Sequence, residues 1–222
     1  MTLSSPGLNK NDKKQFVMEN DTMRLTYDFN GKGGPMSVNI YNKSTQPLYV
    51  NWKKSALIRD EHSISLFDRN VNFTASSSSA TYRFGRYASA TTGNMAGSFT
   101  MPEGVDFIPP GSSISKGLLV VTRPGDIAMV VPDSVTKKSL AGSTGYGAFK
   151  YQELGFDENI SPLRFKCYLT FVLGNNESQE FAESNSFYAA KLFQSNTSPE
   201  QFYLYQQQGD QLFVKFKAGS NQ

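Results

Sequence analysis

Residues 36–58 read MSVNIYNKSTQPLYVNWKKSALI, two stretches of strict alternation on either side of a polar turn. Met36, Val38 and Ile40 fall on one face, and Ser37, Asn39 and Tyr41 on the other. After the turn at 42–47, Leu48, Val50 and Trp52 resume the apolar face. Side chains of a strand point alternately to its two faces, so this period of two predicts half-buried strands.

The same reading extends along the chain. Strands are expected at 16–19 and 23–29, before the turn-rich run Asn30-Gly31-Lys32-Gly33-Gly34-Pro35, then at 56–58, 63–67, 71–75 and 82–87. Ser76 to Ser79 read as a low-complexity tip. Residues 88–104, small and polar with no apolar period, are expected to form a long surface loop and the first place to look for a functional one. Strands at 114–122 and 127–131 flank Arg123-Pro124-Gly125-Asp126, a predicted hairpin turn. The glycine-rich run 142–147 lacks phosphate-loop spacing and reads as a connection. Residues 163–173 predict a central strand. Residues 187–193 fit a strand better than a helix, and 202–205 with 212–216 suggest a closing hairpin.

Short strands separated by turns point to an all-β, mostly antiparallel β-sandwich, Ig-like in its arrangement. A polar start gives residues 1–14 as a flexible N-terminal tail, 15–218 as a single sandwich domain and 219–222 as a C-terminal tail. Composition agrees: among 222 residues, 13% are aromatic and only 18% charged, which suits strands more than a helical bundle.

The net charge of +3, from 22 basic and 19 acidic residues, is too small and too dispersed for a nucleic-acid surface. Lys13–Lys14, Lys53–Lys54 and Lys137–Lys138 stand far apart in the chain. No apolar run approaches the roughly 20 residues of a membrane helix. The opening MTLSSPGLNKNDKKQF has no signal-peptide pattern.

Candidate chemistry is sparse. His62 is the sole histidine and sits in a polar turn, which leaves no partnered base for a nucleophile. Cys167, the one cysteine, lies in an apolar strand and reads as a buried, inert thiol. Glu153, Asp157 and Glu158 cluster in sequence without the register of a calcium loop. No catalytic residue, cofactor or metal ligand is assigned. Tyr41, Tyr49, Tyr82, Tyr87, Tyr203 and Tyr205 are candidates for rings on a solvent-facing sheet.

The segments Val17 to Met23, Gly33-Gly34-Pro35-Met36-Ser37 to Lys43, and Pro47 to Ser55 together resemble an uncharacterised Bacteroidetes-type family with an END…GG-MS-IYNK…P-Y-DWKKS signature. About 40 residues carry the resemblance, and 187–205 is loosely similar. It implies a cell-envelope lipoprotein β-sandwich and supplies no catalytic residues. The chain departs from the family in having Asn51 before the Trp and in lacking a leader. Asp21-Thr22-Met23 and Asp133-Ser134-Val135 resemble the D-[ST]-apolar O-glycan sites of such proteins, which makes Thr22 and Ser134 candidate glycosylation sites.

The expected function is a non-enzymatic envelope accessory module that binds another envelope protein through a sheet edge or loop, with a lipid anchor if a leader has been removed. A glycan-binding module or glycan-active enzyme is the alternative. A cytoplasmic location follows if Met1 is the native start.

Overall fold

The structure, a computed structural model, describes residues 1–67, 72–84, 88–100, 104–122, 137–144, 147–174, 179–195, 197–202 and 204–214, with backbone alone for 72–100 and 137–150. In chain order the strands are β1 (Thr2–Ser4), β2 (Asn9–Lys10), β3 (Phe16–Glu19), β4 (Met23–Asp28), β5 (Gly31–Lys32), β6 (Pro35–Asn42), β7 (Leu48–Arg59), β8 (His62–Ser65) and β9 (Asn72–Phe84). They continue with β10 (Ala88–Thr100), β11 (Val105–Ile108), β12 (Ser113–Val120), β13 (Lys137–Thr144), β14 (Gly147–Gly155), β15 (Arg164–Leu173), β16 (Glu180–Ser195) and β17 (Leu212–Phe213). No helix of the described residues is long and apolar enough to cross a membrane.

Two antiparallel sheets pack against each other, so the protein is all-β. The smaller has five strands in the order β12-β6-β4-β3-β2. The larger has eight and is built on β7, β15 and β16. Alternation decides the packing: Met36, Val38 and Ile40 of β6 and Leu48, Val50 and Trp52 of β7 are all buried in one core. The two alternating stretches do not pair with each other. The chain crosses from one sheet to the other at 42–48 and again at 108–113. The strand expected at 163–173 is central, between β7 and β16, and 187–193 lies within the long strand β16.

Phe187 joins the layers. Its ring lies 5.2 Å from Phe16, 5.3 Å from Tyr27 and 5.0 Å from Phe29, all edge-on, and stacks on Phe165 at 5.3 Å. Edge-to-face and offset-stacked rings are the favoured geometries of aromatic pairs.

The signature residues serve the frame. Gly33 and Gly34 hold φ of +75° and +70°, a region open to glycine at little cost. A Cβ on Gly33 would lie 2.5 Å from Val120 Cγ1 and 2.7 Å from the Thr122 carbonyl oxygen. Along β7, Trp52 to Ser55 form a bulge, since Asn51 pairs with Thr170 but Ala56 already pairs with Tyr168. Ser55 Oγ donates to the Asn51 carbonyl at 2.7 Å and accepts from the Thr170 N–H at 3.0 Å. Thr170 Oγ1 donates to the Lys54 carbonyl at 2.8 Å. The extra residues therefore leave these backbone groups bonded.

Opposite that bulge the chain leaves the sheet. Ala56 has Tyr168 on one side and Ser65 on the other, and Val50 has Phe171 and Asp106. Strands β8 and β11 therefore lie end to end along the same side of β7. Between them, Leu66 N–H donates to the Ser55 carbonyl at 3.0 Å and Trp52 N–H to the Gly104 carbonyl at 2.8 Å. The intervening chain forms the β9–β10 ribbon, paired from Phe84↔Ala88 to Asn72↔Thr100. This corrects two expectations: Ser76 to Ser79 lie within β9, and 88–100 is strand β10 where a loop is expected. Its small residues carry no apolar period, and pairing through backbone groups needs none.

Three further expectations change. Gly142 and Gly147 belong to the paired strands β13 and β14, which flank residues 145–146. Among the described residues the closing hairpin is absent: 202, 204 and 205 belong to no strand, and β17 pairs in parallel with β5. Residues 1–14, expected as a tail, contain β1 paired with β16 and a fully buried Leu3. Lys10 Nζ bonds Asp210 Oδ2 at 2.6 Å and the Leu3 carbonyl at 2.8 Å. The Arg123-Pro124-Gly125-Asp126 turn, the strand at 127–131 and residues 219–222 lie outside the described residues.

Candidate functional site

The outward positions of the five-stranded sheet form one polar face. Register sets its rows: Tyr41 lies beside Arg24 and Arg24 beside Glu19; Ser115 beside Asn39, then Thr26 and Val17; Ser37 beside Asp28. Because β12 returns to pair with β6, Ser115 and Asn39 become neighbours across 76 residues, and Asn39 Nδ2 donates to Ser115 Oγ at 2.8 Å. The face holds an open groove of about 540 Å³, lined by Asn39, Thr26 and Val17 in the middle row, by Arg24 and Glu19 in the row on one side and by Ser37 and Asp28 in the row on the other.

Its charges are engaged within the protein. Glu19 Oε1 accepts from Lys43 Nζ at 2.8 Å. That hydrogen bond, and secondly the Lys43 charge, hold the Glu19 carboxyl below the usual carboxylate range. Asp28 Oδ2 accepts from Gln15 Nε2 and its Oδ1 from the Asn30 N–H, each at 2.8 Å. The Arg24 guanidinium stands 5.2 Å from the centre of the Tyr41 ring, within cation–π range.

A second surface is the edge of the larger sheet made by β8 and β11. Among the described residues neither strand has a partner on its outer side. All of β8 is exposed, and Ile64, Val105 and Phe107 are 46%, 41% and 54% accessible. Phe107 lies 5.3 Å from the Tyr49 ring. Lys116 stands 4.3 Å from the centre of the Trp52 ring and bonds Asp106 Oδ2 at 3.1 Å, while Trp52 Nε1 donates to the same oxygen at 2.7 Å. Trp52 and Asp106 thus pin β11 at the root of the ribbon.

The other sequence candidates are dispersed. Thr22 is half-buried in a turn where its N–H donates to Asn20 Oδ1 at 2.9 Å, and Asp21 beside it is exposed. Ser134 lies outside the described residues. His62 is exposed on β8, with Nδ1 2.6 Å from the Asp60 carbonyl. Asp157 Oδ1 accepts from the Asn159 and Ile160 N–H groups at 2.8 and 3.2 Å, closing a turn on itself. Among the described residues no three His, Cys, Asp or Glu side chains are grouped so as to hold a metal ion. Tyr205 bonds Asn30 Oδ1 at 2.6 Å, whereas the side chains of Tyr82, Tyr87 and Tyr203 lie outside the described residues.

Cys167 is buried in the core as its apolar run predicts. Burial pushes its thiol up to about 12, against a hydrogen bond with Tyr27 that lowers it. Burial likewise raises the Tyr27 hydroxyl well above its ordinary value, and Asn185 Nδ2 donates to that hydroxyl at 3.0 Å. At pH 8 a thiol of that kind is thiolate in only about one molecule in 10⁴, and the thiolate is the reactive form. The native protein is expected to leave an aromatic disulfide reagent unreacted for hours, and to release one equivalent on unfolding in denaturant. Reaction within minutes in native buffer would contradict the buried placement.

No protein-family model, curated protein or solved structure matches the chain.

Proposed function

We propose that this protein is a non-enzymatic accessory module of the bacterial cell envelope, Ig-like in its sandwich arrangement, which binds another envelope protein by strand addition at the β8–β11 edge. The observation that carries the reading is that edge, with Ile64, Val105 and Phe107 exposed on strands that have no outer partner strand among the described residues. An open edge is a template for a partner strand: main-chain bonds supply affinity and alternate side chains supply selectivity. Its exposed apolar residues would be covered in such a complex. The signature segments support the envelope placement by their resemblance to the Bacteroidetes-type family, with Thr22 and Ser134 as glycan attachment sites and a lipid anchor if a leader has been removed.

A photocrosslinking residue in place of Phe107, compared with one in place of Lys166, exposed on β15 away from the edge, tests this in intact cells. A discrete adduct from position 107 and none from 166 is expected in the envelope fraction. No adduct at 107, or equal adducts at both positions, would remove the edge from consideration.

A further inference from the structure

We infer that the groove across the outer face of the five-stranded sheet binds a neutral, hydroxyl-rich oligosaccharide. This goes beyond the edge proposal and does not depend on it, since the two surfaces lie on different sheets. Shape comes first. The middle row, Ser115, Asn39, Thr26 and Val17, lies between the longer side chains of Arg24 and Glu19 in the row on one side and Asp28 in the row on the other, with Gln15 bonded to Asp28. From Ser115 to Val17 the groove crosses four strands, roughly 14 Å at ordinary strand spacing, enough for more than one sugar ring.

Chemistry decides the ligand class. The floor offers hydroxyl and amide groups, which both donate and accept, as sugar hydroxyls do. The Thr26 and Ser37 hydroxyls bond to no other side chain among the described residues. Val17 adds one apolar patch for the C–H face of a ring. Around the rim the charges offset one another: Glu19 is ion-paired with Lys43, and the Asp28 carboxylate, held by the neutral donors Gln15 and the Asn30 N–H, is matched by the Arg24 guanidinium against Tyr41. An anionic ligand would meet the Glu19 and Asp28 carboxylates, and a cationic one Arg24 and Lys43. A neutral ligand meets neither obstacle and needs no ion pair broken. The pre-formed bonds also hold the walls in place, which lowers the ordering cost of binding.

The test uses the full chain on an array of neutral, acidic and basic oligosaccharides, followed by titration calorimetry with the best neutral probe. Binding of neutral glycans is expected, unchanged between low and high salt because no charge is exchanged. Thr26→Trp fills the floor and should weaken binding by at least about tenfold, equivalent to 1.4 kcal/mol. Asn39→Ala removes only an amide and serves as the milder second variant, with a smaller loss in the same direction. Lys166→Ser, an exposed position on the other sheet, should bind like the parent. Retention of acidic or basic probes alone, salt-sensitive binding, selection of peptides over glycans, or Thr26→Trp binding as well as the parent while folded would overturn the inference. None of these results bears on crosslinking at position 107, so either reading can fall without the other.

Discussion

Phe187→Ala is expected to lose about 3–5 kcal/mol of stability, the range for truncating a buried aromatic residue. The ring is 1% exposed and touches Phe16 and Tyr27 of the smaller sheet as well as Phe29 and Phe165. Its removal takes out buried area and four ring pairs together, and the neighbours are held by strands that cannot close onto the gap. Because whole domains are stable by only about 5–15 kcal/mol, the alanine variant could be partly unfolded. Phe187→Leu keeps most of the volume and should cost less than about 2 kcal/mol. Urea unfolding of both variants gives the difference, with the m-value showing whether the unfolded states remain comparable. An alanine loss below about 1 kcal/mol would mean that Phe187 does not couple the two sheets.

Much of that core is legible in the alternation of 36–42, 47–52 and 163–173, because a strand with one buried face shows its burial in its sequence. Elements that lack such a face are not. In β9 and β10, Ser, Thr, Ala and Gly dominate and the pairing rests on backbone groups, so periodicity has nothing to register. Residues 1–14 look like a tail because a single side chain, Leu3, carries their burial. The anchor is a distant pairing with β16, invisible from composition. Leu212 is equally solitary: it is fully buried through a two-residue parallel strand, where an antiparallel hairpin is the natural local reading.

The groove was half legible for a related reason. Ser37, Asn39 and Tyr41 already stand out as the solvent side of an alternating strand. Nothing local reveals that Thr26 and Ser115 flank Asn39, since that requires the order β12-β6-β4-β3. The distinctive residues of 33–55 serve structural ends, namely two left-handed glycines, a corner and a bulge.

The corner is where a polar residue matters most. Asn42→Ala is expected to cost about 1–3 kcal/mol, since a buried group stripped of its partner bears its full desolvation penalty. Asn42 is fully buried, and its Nδ2 donates to the Ile108 carbonyl at 3.0 Å and the Gln46 carbonyl at 2.8 Å. Its Oδ1 accepts from the Ser44 N–H at 3.0 Å and Ser44 Oγ at 2.8 Å. One amide thus ties the 42–48 crossing to the 108–113 crossing, fixing both passages between the sheets. Ser44 Oγ also lies 2.8 Å from the Gln46 carbonyl, and its single proton, released from Asn42 Oδ1 in the variant, leaves that oxygen with a partner. Ile108 is the exposed weakness, because its carbonyl loses the Asn42 donor in a buried setting. Asn42→Asp separates hydrogen bonding from packing: it keeps the shape but points a carboxylate oxygen at two carbonyls. At pH 7 it should be at least as damaging as alanine. Its penalty should ease as pH falls through the carboxyl's raised folded-state pKa, where protonation restores a donor. If Asn42→Asp matches the parent in urea at pH 7, the corner is held by packing alone and the hydrogen-bond account fails.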